Sequence, residues 1–487
     1  MNNIFKSILF ILFSASCSLL QAEKPNFLFI TADDLGVEVG CYGDAQARTP
    51  CMDRLAKDSI MFTRGYVTQA SCSPSRSSMF TGMYPHENGH VGLAPSGYSL
   101  KKGIKLMPNI LKEAGYRTGV IGKIHVAPEE NFQWDDNMGK KTRNVTSVAE
   151  RAQAFIEATK EQPFFLMVNY FDPHRPFVHQ NKQGIPENPY SADEVKPFQF
   201  LGVNSPQVRE EVAGYYNSVS RFDAGLGQLL ELLREMGKDE NTMIVVIGDH
   251  GAPFTRGKGT CYESGLHIPY LLRMPAKRHA GRKMDDFVST IDILPTFMEA
   301  AGLEIDPQIT GSSLLPLVEG ELVGKWRQEM PCEYTSHHGV GGYFPRRSLR
   351  TDKYKIIQNL LVGEQNPHLG IDSCSAWKES RESKYAGTKV REMMDVFANP
   401  TEYELYDLEN DPVEHNNLSS NPEYAKVLKN MISKLDHWRT SSSDPLVSEK
   451  ALADLTKEHR DPNGYFVKYG SIKAKERKNK KKNKKKK

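Results

Sequence analysis

Ser71-Cys72-Ser73-Pro74-Ser75-Arg76-Ser77-Ser78-Met79-Phe80-Thr81-Gly82 is the stretch to which the rest of this chain can be referred. A proline two residues past a cysteine suits the first turn of a helix, where its missing N–H is no loss. The free backbone N–H groups of that turn favour an anion, and Arg76 adds a planar cationic fork that matches oxyanions. The plain alternative is a buried structural cysteine ahead of a capped helix. Cys-x-Pro alone would leave that alternative standing, but Ser75-Arg76 and Thr81-Gly82 at fixed offsets weigh against it.

Working outward, Pro25 to Thr31 is an apolar run with the length of a buried strand, and it leads into Asp33-Asp34-Leu35-Gly36. Ligands of α/β sheets bind beyond the carboxyl ends of strands, and neighbouring carboxylates repel unless a cation lies between them. Asp-Asp before Gly is equally a common turn. Pro163 to Tyr170 is a second such strand, ending in Phe171-Asp172-Pro173-His174-Arg175-Pro176, and Met243 to Ile247 is a third, delivering Gly248-Asp249-His250-Gly251. Thr118 to Ile121 leads into Gly122-Lys123-Ile124-His125, and a Lys and His two apart on a strand end face one side. Helical spacing marks 106–114, 145–160 and 207–236, the last as two helices or one broken near Gly225.

Together these segments resemble the type I sulfatases, the formylglycine-dependent branch of the alkaline-phosphatase superfamily, from Asn26 to about Leu418. The resemblance implies an α/β fold, with a large mixed sheet sandwiched by helices over residues 23–335 and a smaller C-terminal α+β domain with an antiparallel sheet over 336–465. It implies that a maturase oxidises Cys72 to formylglycine, whose hydrate has one hydroxyl to attack sulfur and a second whose deprotonation expels sulfate. Asp33, Asp34, residue 72, Asp249 and His250 would hold a divalent cation, most simply Ca2+, although imidazole is a less usual calcium partner than oxygen. Arg76, Lys123 and Lys258 would offset charge on the sulfuryl group, with Arg256 the near competitor for the role of Lys258. His125 would take the proton that releases sulfate, and His174 would bind the sulfate and, with Lys258 as the other candidate, protonate the leaving group.

Within the family, Gly122 to Val126 with Pro128-Glu129, Ser336-His337-His338, and Leu435 to Trp438 with Asp444-Pro445 resemble the sulfamidases acting on N-sulfoglucosamine of heparan sulfate. An O-sulfatase on another sulfated polysaccharide, a formylglycine-dependent phosphodiesterase or phosphonate hydrolase, and a non-catalytic glycan-binding protein are the alternatives. The expected partners are a sulfated saccharide and the maturase, with no nucleic acid; oligomeric state is left open.

Composition and termini complete the reading. At 487 residues, 39% hydrophobic and 25% charged, the chain has room for a large domain and a smaller one. Residues 1–22, with Lys6, the apolar run Ile8 to Phe13 and small residues up to Ala22, form an expected signal peptide, so the protein is expected to be exported. Six of seven cysteines follow it, and conversion of Cys72 would leave an odd five, which excludes a fully paired disulfide framework. The last seventeen residues hold eleven Lys or Arg and one Glu, a net of +10 against +3 overall, so the remainder carries about −7 (3 − 10). Residues 466–487 are expected to be a disordered basic tail, with contact to polyanions the sharper alternative.

Overall fold

The architecture comes from a computed structural model, which describes residues 24–460 apart from 140, 339–341, 368 and 372–373. The expected signal peptide, the basic tail and residues 461–465 lie outside the described residues.

Eight strands form the large sheet: β1 (Asn26–Asp33), β2 (Ile60–Tyr66), β3 (Arg117–Gly122), β4 (Asp136–Met138), β5 (Phe164–Pro173), β6 (Thr242–Gly248), β7 (His267–Arg273) and β8 (Lys283–Ser289). Their order is β4-β3-β5-β1-β6-β7-β2-β8. From β4 to β6 every pair is parallel, and β7 runs antiparallel to both its neighbours, so the sheet is mixed. All eight residues of β1 are buried. Its sequence shows no polar alternation because helices cover both faces of a parallel strand in the middle of such a sheet. In register, Ala32 lies opposite Tyr170 of β5 and Gly248 of β6, so the segments following three adjacent strands emerge at one edge.

The stretch 207–236 is one helix, Pro206–Glu235, whose N-cap Ser205 Oγ accepts from Val208 N at 3.0 Å. Gly225 does not break it. A Cβ there would meet the Tyr170 ring at 2.7 Å and Val145 at 2.9 Å, and Tyr170 Oη donates to Gly225 O at 2.8 Å. The glycine lets the helix lie close against the sheet.

The small sheet is antiparallel, in the order β12-β11-β10-β9, from β9 (Met330–Tyr334), β10 (Arg346–Arg350), β11 (Tyr354–Asn359) and β12 (Tyr403–Asp407). It therefore draws its edge strand from before residue 336. The helix Ala425–Ser441 buries Met431 and Leu435 against Leu349, Ile356 and Leu405 of this sheet. The six described cysteines are all free, so packing rather than cross-links holds these elements. Among the described residues no helix is long and apolar enough to cross a membrane.

Buried charges tie the small sheet to the segments packed around it. His86 Nδ1 lies 3.0 Å from Glu333 of β9, whose carboxylate also accepts from His86 N at 2.9 Å. Arg347 of β10 grips Asp444 through Nε and Nη2 at 2.9 and 2.8 Å, and Arg439 Nε adds a third bond at 2.9 Å. Burial would raise Asp444, but the two guanidinium groups hold it well below the usual carboxylate range. Its contribution to stability is thus present above the unfolded pKa near 4 and is lost as pH falls through the folded value. Asp444→Asn should cost about 3–5 kcal/mol in urea unfolding at neutral pH, as expected for a broken buried pair. That deficit should shrink below about pH 4.

Candidate active site

The helix Cys72–Thr81 is buried along its whole length, although six of its ten residues are Cys, Ser or Thr. Its hydroxyls are satisfied locally: Ser77 Oγ donates to Pro74 O at 2.7 Å and Thr81 Oγ1 to Ser77 O at 2.8 Å, while Asn88 Nδ2 donates to Ser77 Oγ at 3.1 Å. Ser75 Oγ bonds Asp249 O. This polar helix can therefore point its first residue, Cys72, at the carboxyl edge of the large sheet.

Around Cys72 the strand-end acids converge. Its Sγ lies 3.3 Å from His250 Nε2 and 3.9 Å from Asp34 Oδ1. Asp34 takes φ +71 and donates its backbone N–H to Asp249 Oδ1 at 2.8 Å, which locks the end of β1 to the end of β6. Each acid then meets a buried cation. Lys123 Nζ donates to both oxygens of Asp33 at 2.8 Å, Lys258 Nζ to both of Asp34 at 3.1 Å, and Arg76 Nε to Asp249 Oδ2 at 2.9 Å. Arg256, the competitor of Lys258, points elsewhere and donates to the carbonyls of Phe200, Val413 and Glu414.

His174 sits at the mouth, its side chain 24% exposed, with Nε2 4.0 Å from Asp34 Oδ2 and its ring stacked on Phe171 at 5.1 Å. Lys123 and His125 lie past the end of β3, so strand alternation does not set their directions. Gly122 turns the chain there with φ +91, where a Cβ would strike Asn169 O at 2.1 Å. His125 follows with φ +59, and its buried Nδ1 has no hydrogen-bond partner. The same holds for Arg76 Nη2.

The electrostatics follow from these pairings. Burial would raise Asp33 and Asp34, but Lys123, Arg76 and His174 around the first, and Lys258, His174 and His250 around the second, hold both carboxyls down. Asp249 is raised, by burial and then by Asp33. Burial opposes protonation of His250, yet Asp249 and Asp34 push it up to about 9. Burial and the Lys123 charge hold His125 well below its ordinary value, which keeps its imidazole neutral.

Two overlapping groups, Asp34-Cys72-His250 and Asp33-Cys72-Asp249, each offer ligand atoms within 4.8 Å of one another. Three carboxylates and one imidazole in a dry setting form a donor set that fits a hard divalent cation.

Asn169 was not singled out in the sequence, and neither were the contacts of Arg76 with Lys123 and of His337 with Ser71. Asn169 Oδ1 accepts from Thr31 Oγ1 at 2.6 Å and from Arg76 Nη1 at 3.0 Å. Arg76 Nη1 also donates to Lys123 O at 3.0 Å. His337 Nδ1 is hydrogen-bonded to Ser71 Oγ at 2.8 Å, which ties the segment after β9 to the start of the Cys72 helix. An Asn inside an apolar strand was the available signal for the first, since a polar residue there needs partners.

Comparison with known proteins fits this arrangement. The family model described as Sulfatase matches residues 25–303, and one described as N-sulphoglucosamine sulphohydrolase, C-terminal, matches 248–366. The N-sulphoglucosamine sulphohydrolase of Homo sapiens is 29% identical, over 89% of this chain and 94% of the human protein. An ulvan-active sulfatase of Formosa agariphila is 32% identical, over 88% of this chain and 83% of its own length. A solved structure described as a complex with its substrate D-glucosamine-2-N,6-O-disulfate shares the fold at TM-score 0.66 and 22% identity, covering 86% of this chain and 98% of that one.

Asn169→Ala should lower the unfolding free energy by about 2 kcal/mol, because Thr31 and Arg76 both lose a buried acceptor. Urea unfolding measures this, and an unchanged midpoint and slope would show that Asn169 does not hold Arg76 in place.

Proposed function

Because the chain belongs to the sulfatase family, we propose that it removes sulfate from a sulfated glycan, with N-sulfoglucosamine of a heparan-type chain as the favoured substrate. The observation that carries this reading is Cys72 held between three acids and three cations at the carboxyl edge of the sheet. In this reading Cys72 is matured to formylglycine, whose hydrate supplies an oxygen nucleophile that a thiol does not. Asp33, Asp34, Asp249 and His250 would hold a divalent cation, taken as Ca2+, which would supply Lewis-acid polarisation of a sulfate oxygen.

The chain's own side chains do the rest. Arg76 Nη2, buried and without a hydrogen-bond partner, donates to a sulfate oxygen, and Lys123 and Lys258 offset the charge that grows in the transition state. His174 Nε2, at the mouth, protonates the departing nitrogen or oxygen. His125 Nδ1, neutral and unpartnered, accepts the proton whose removal lets sulfate leave. The sulfamidase preference rests on the 29% identity to the human enzyme along nearly its full length and on the C-terminal family model, which spans both Lys258 and His337. An O-sulfatase on another polysaccharide is the second reading, favoured by the 32% identity to the ulvan-active enzyme. Residues 1–22 point to export, where a maturase would act on the chain before or during passage.

Peptide mass across Cys72, in protein from its native host, should be roughly 18 Da below that of the thiol form. Such protein should release sulfate from N-sulfoglucosamine faster than from O-sulfated sugars, and faster hydrolysis of a phosphate diester would overturn the sulfatase assignment. Calcium at 100 times its Kd should stabilise the protein by about 2.7 kcal/mol, and Asp249→Asn should abolish the rise in Tm.

A further inference from the structure

Resting on the sulfatase reading, we propose that Lys141 is a specificity-determining residue, whose ammonium receives a second anionic group on the saccharide that is desulfated at residue 72. Inside the site each cation already has its acid: Arg76 has Asp249, Lys123 has Asp33 and Lys258 has Asp34. Lys141 has no carboxylate within ion-pair distance among the described residues.

Its position is set by a short stack. Lys141 Nζ lies 5.3 Å from the centroid of the Phe171 ring, Phe171 stacks on His174, and His174 Nε2 reaches to 4.0 Å from Asp34. Arg143 shares the Phe171 ring at 4.6 Å, but it is already matched by Asp172 and donates to the carbonyls of His174 and Pro176 at 2.7 and 2.8 Å. Arg143 therefore fixes the His174 loop, whereas Lys141 keeps access to solvent and has no carboxylate partner among the described residues. The Lys141 charge is felt inside: partial burial lowers its pKa first and Lys123 lowers it next, with Asp33, Cys72 and Arg76 also acting on it. An ammonium that has shed some of its water and lacks a counter-ion gains by meeting an anion.

The scissile sulfate is met by the inner cations, so the anion left for Lys141 is another one. A carboxylate of a neighbouring uronate and a second sulfate on the same sugar have that chemistry in common. The substrate class is accordingly a saccharide with at least two anionic groups.

The test uses matured protein and three saccharides: glucosamine N-sulfate, glucosamine N,6-O-disulfate, and N-sulfoglucosamine linked to a uronate. Lys141→Met should lower the kcat/KM ratio of a doubly charged substrate to the singly charged one by about tenfold, the scale of one charge-assisted contact. The loss should lie in KM, and Lys141→Arg should restore most of it. A fall confined to the disulfate identifies sulfate as the second anion, and a fall confined to the uronate identifies carboxylate. An equal change for all three substrates, or none, overturns the proposal. Should no sulfate be turned over at all, the sulfatase reading fails. Calorimetric binding of the same three saccharides to Cys72→Ala protein, with and without Lys141→Met, then decides the role of Lys141 separately.

Discussion

Everything at the catalytic edge depends on one electrostatic constraint, which is that three carboxylates and three cations must be buried together or not at all. Asp33, Asp34, Asp249 and Arg76 have no exposed surface, and Lys123 and Lys258 are 5% and 2% exposed. Dehydrating any one of them alone costs several kcal/mol, and only close pairing with satisfied hydrogen bonds offsets that cost. The fold supplies the pairing through backbone geometry. Parallel strands β5, β1 and β6 end at one level, and the Asp34 amide donates to the Asp249 carboxylate, so the strand ends bring the carboxylates together.

The polar Cys72 helix answers the same constraint from the other side. A helix this rich in hydroxyls would be a poor element in an apolar core, yet here its hydroxyls find partners in backbone oxygens, Asn88, Thr68 and the Ala94 amide. That frees its Arg76 to span Asp249, Asn169 and the carbonyl of Lys123. One guanidinium thereby fixes three strand ends relative to each other, since its partners follow β6, lie within β5 and follow β3.

Legibility in the sequence divided along physical lines. Strands buried on both faces are continuous apolar runs, so β1, β5 and β6 and the acids after them could be placed from composition alone. The resemblance then selected the residues that the structure brings around Cys72. What it could not resolve was direction. Lys258 and Arg256 are two residues apart with the same charge, and only the fold shows that one faces Asp34 and the other the carbonyls of Phe200, Val413 and Glu414. Gly225 looked like a helix break because glycine lowers helix propensity, but here the close approach of Tyr170 and Val145 decides the residue. The edge strand β9 was missed because a short strand of an antiparallel sheet draws its stability from partners far along the chain.

The charge-balanced interior also explains where specificity has to reside. In the proposed reading its groups bind and process a sulfuryl group, and none of them is directed at the sugar on the far side of the scissile bond. Discrimination between one glycan and another must therefore come from side chains around the mouth. Those belong to loops that leave different elements: Lys141 ahead of the helix Val145–Thr159 and His174 after β5. Loops vary while the strands that anchor them stay fixed, so relatives can share this interior and still act on different polymers. Sequence identity taken over the whole chain weighs mostly the strands and helices that hold the interior. For the choice of sugar, the informative comparison is confined to the few residues on those loops whose charge is not already neutralised from within.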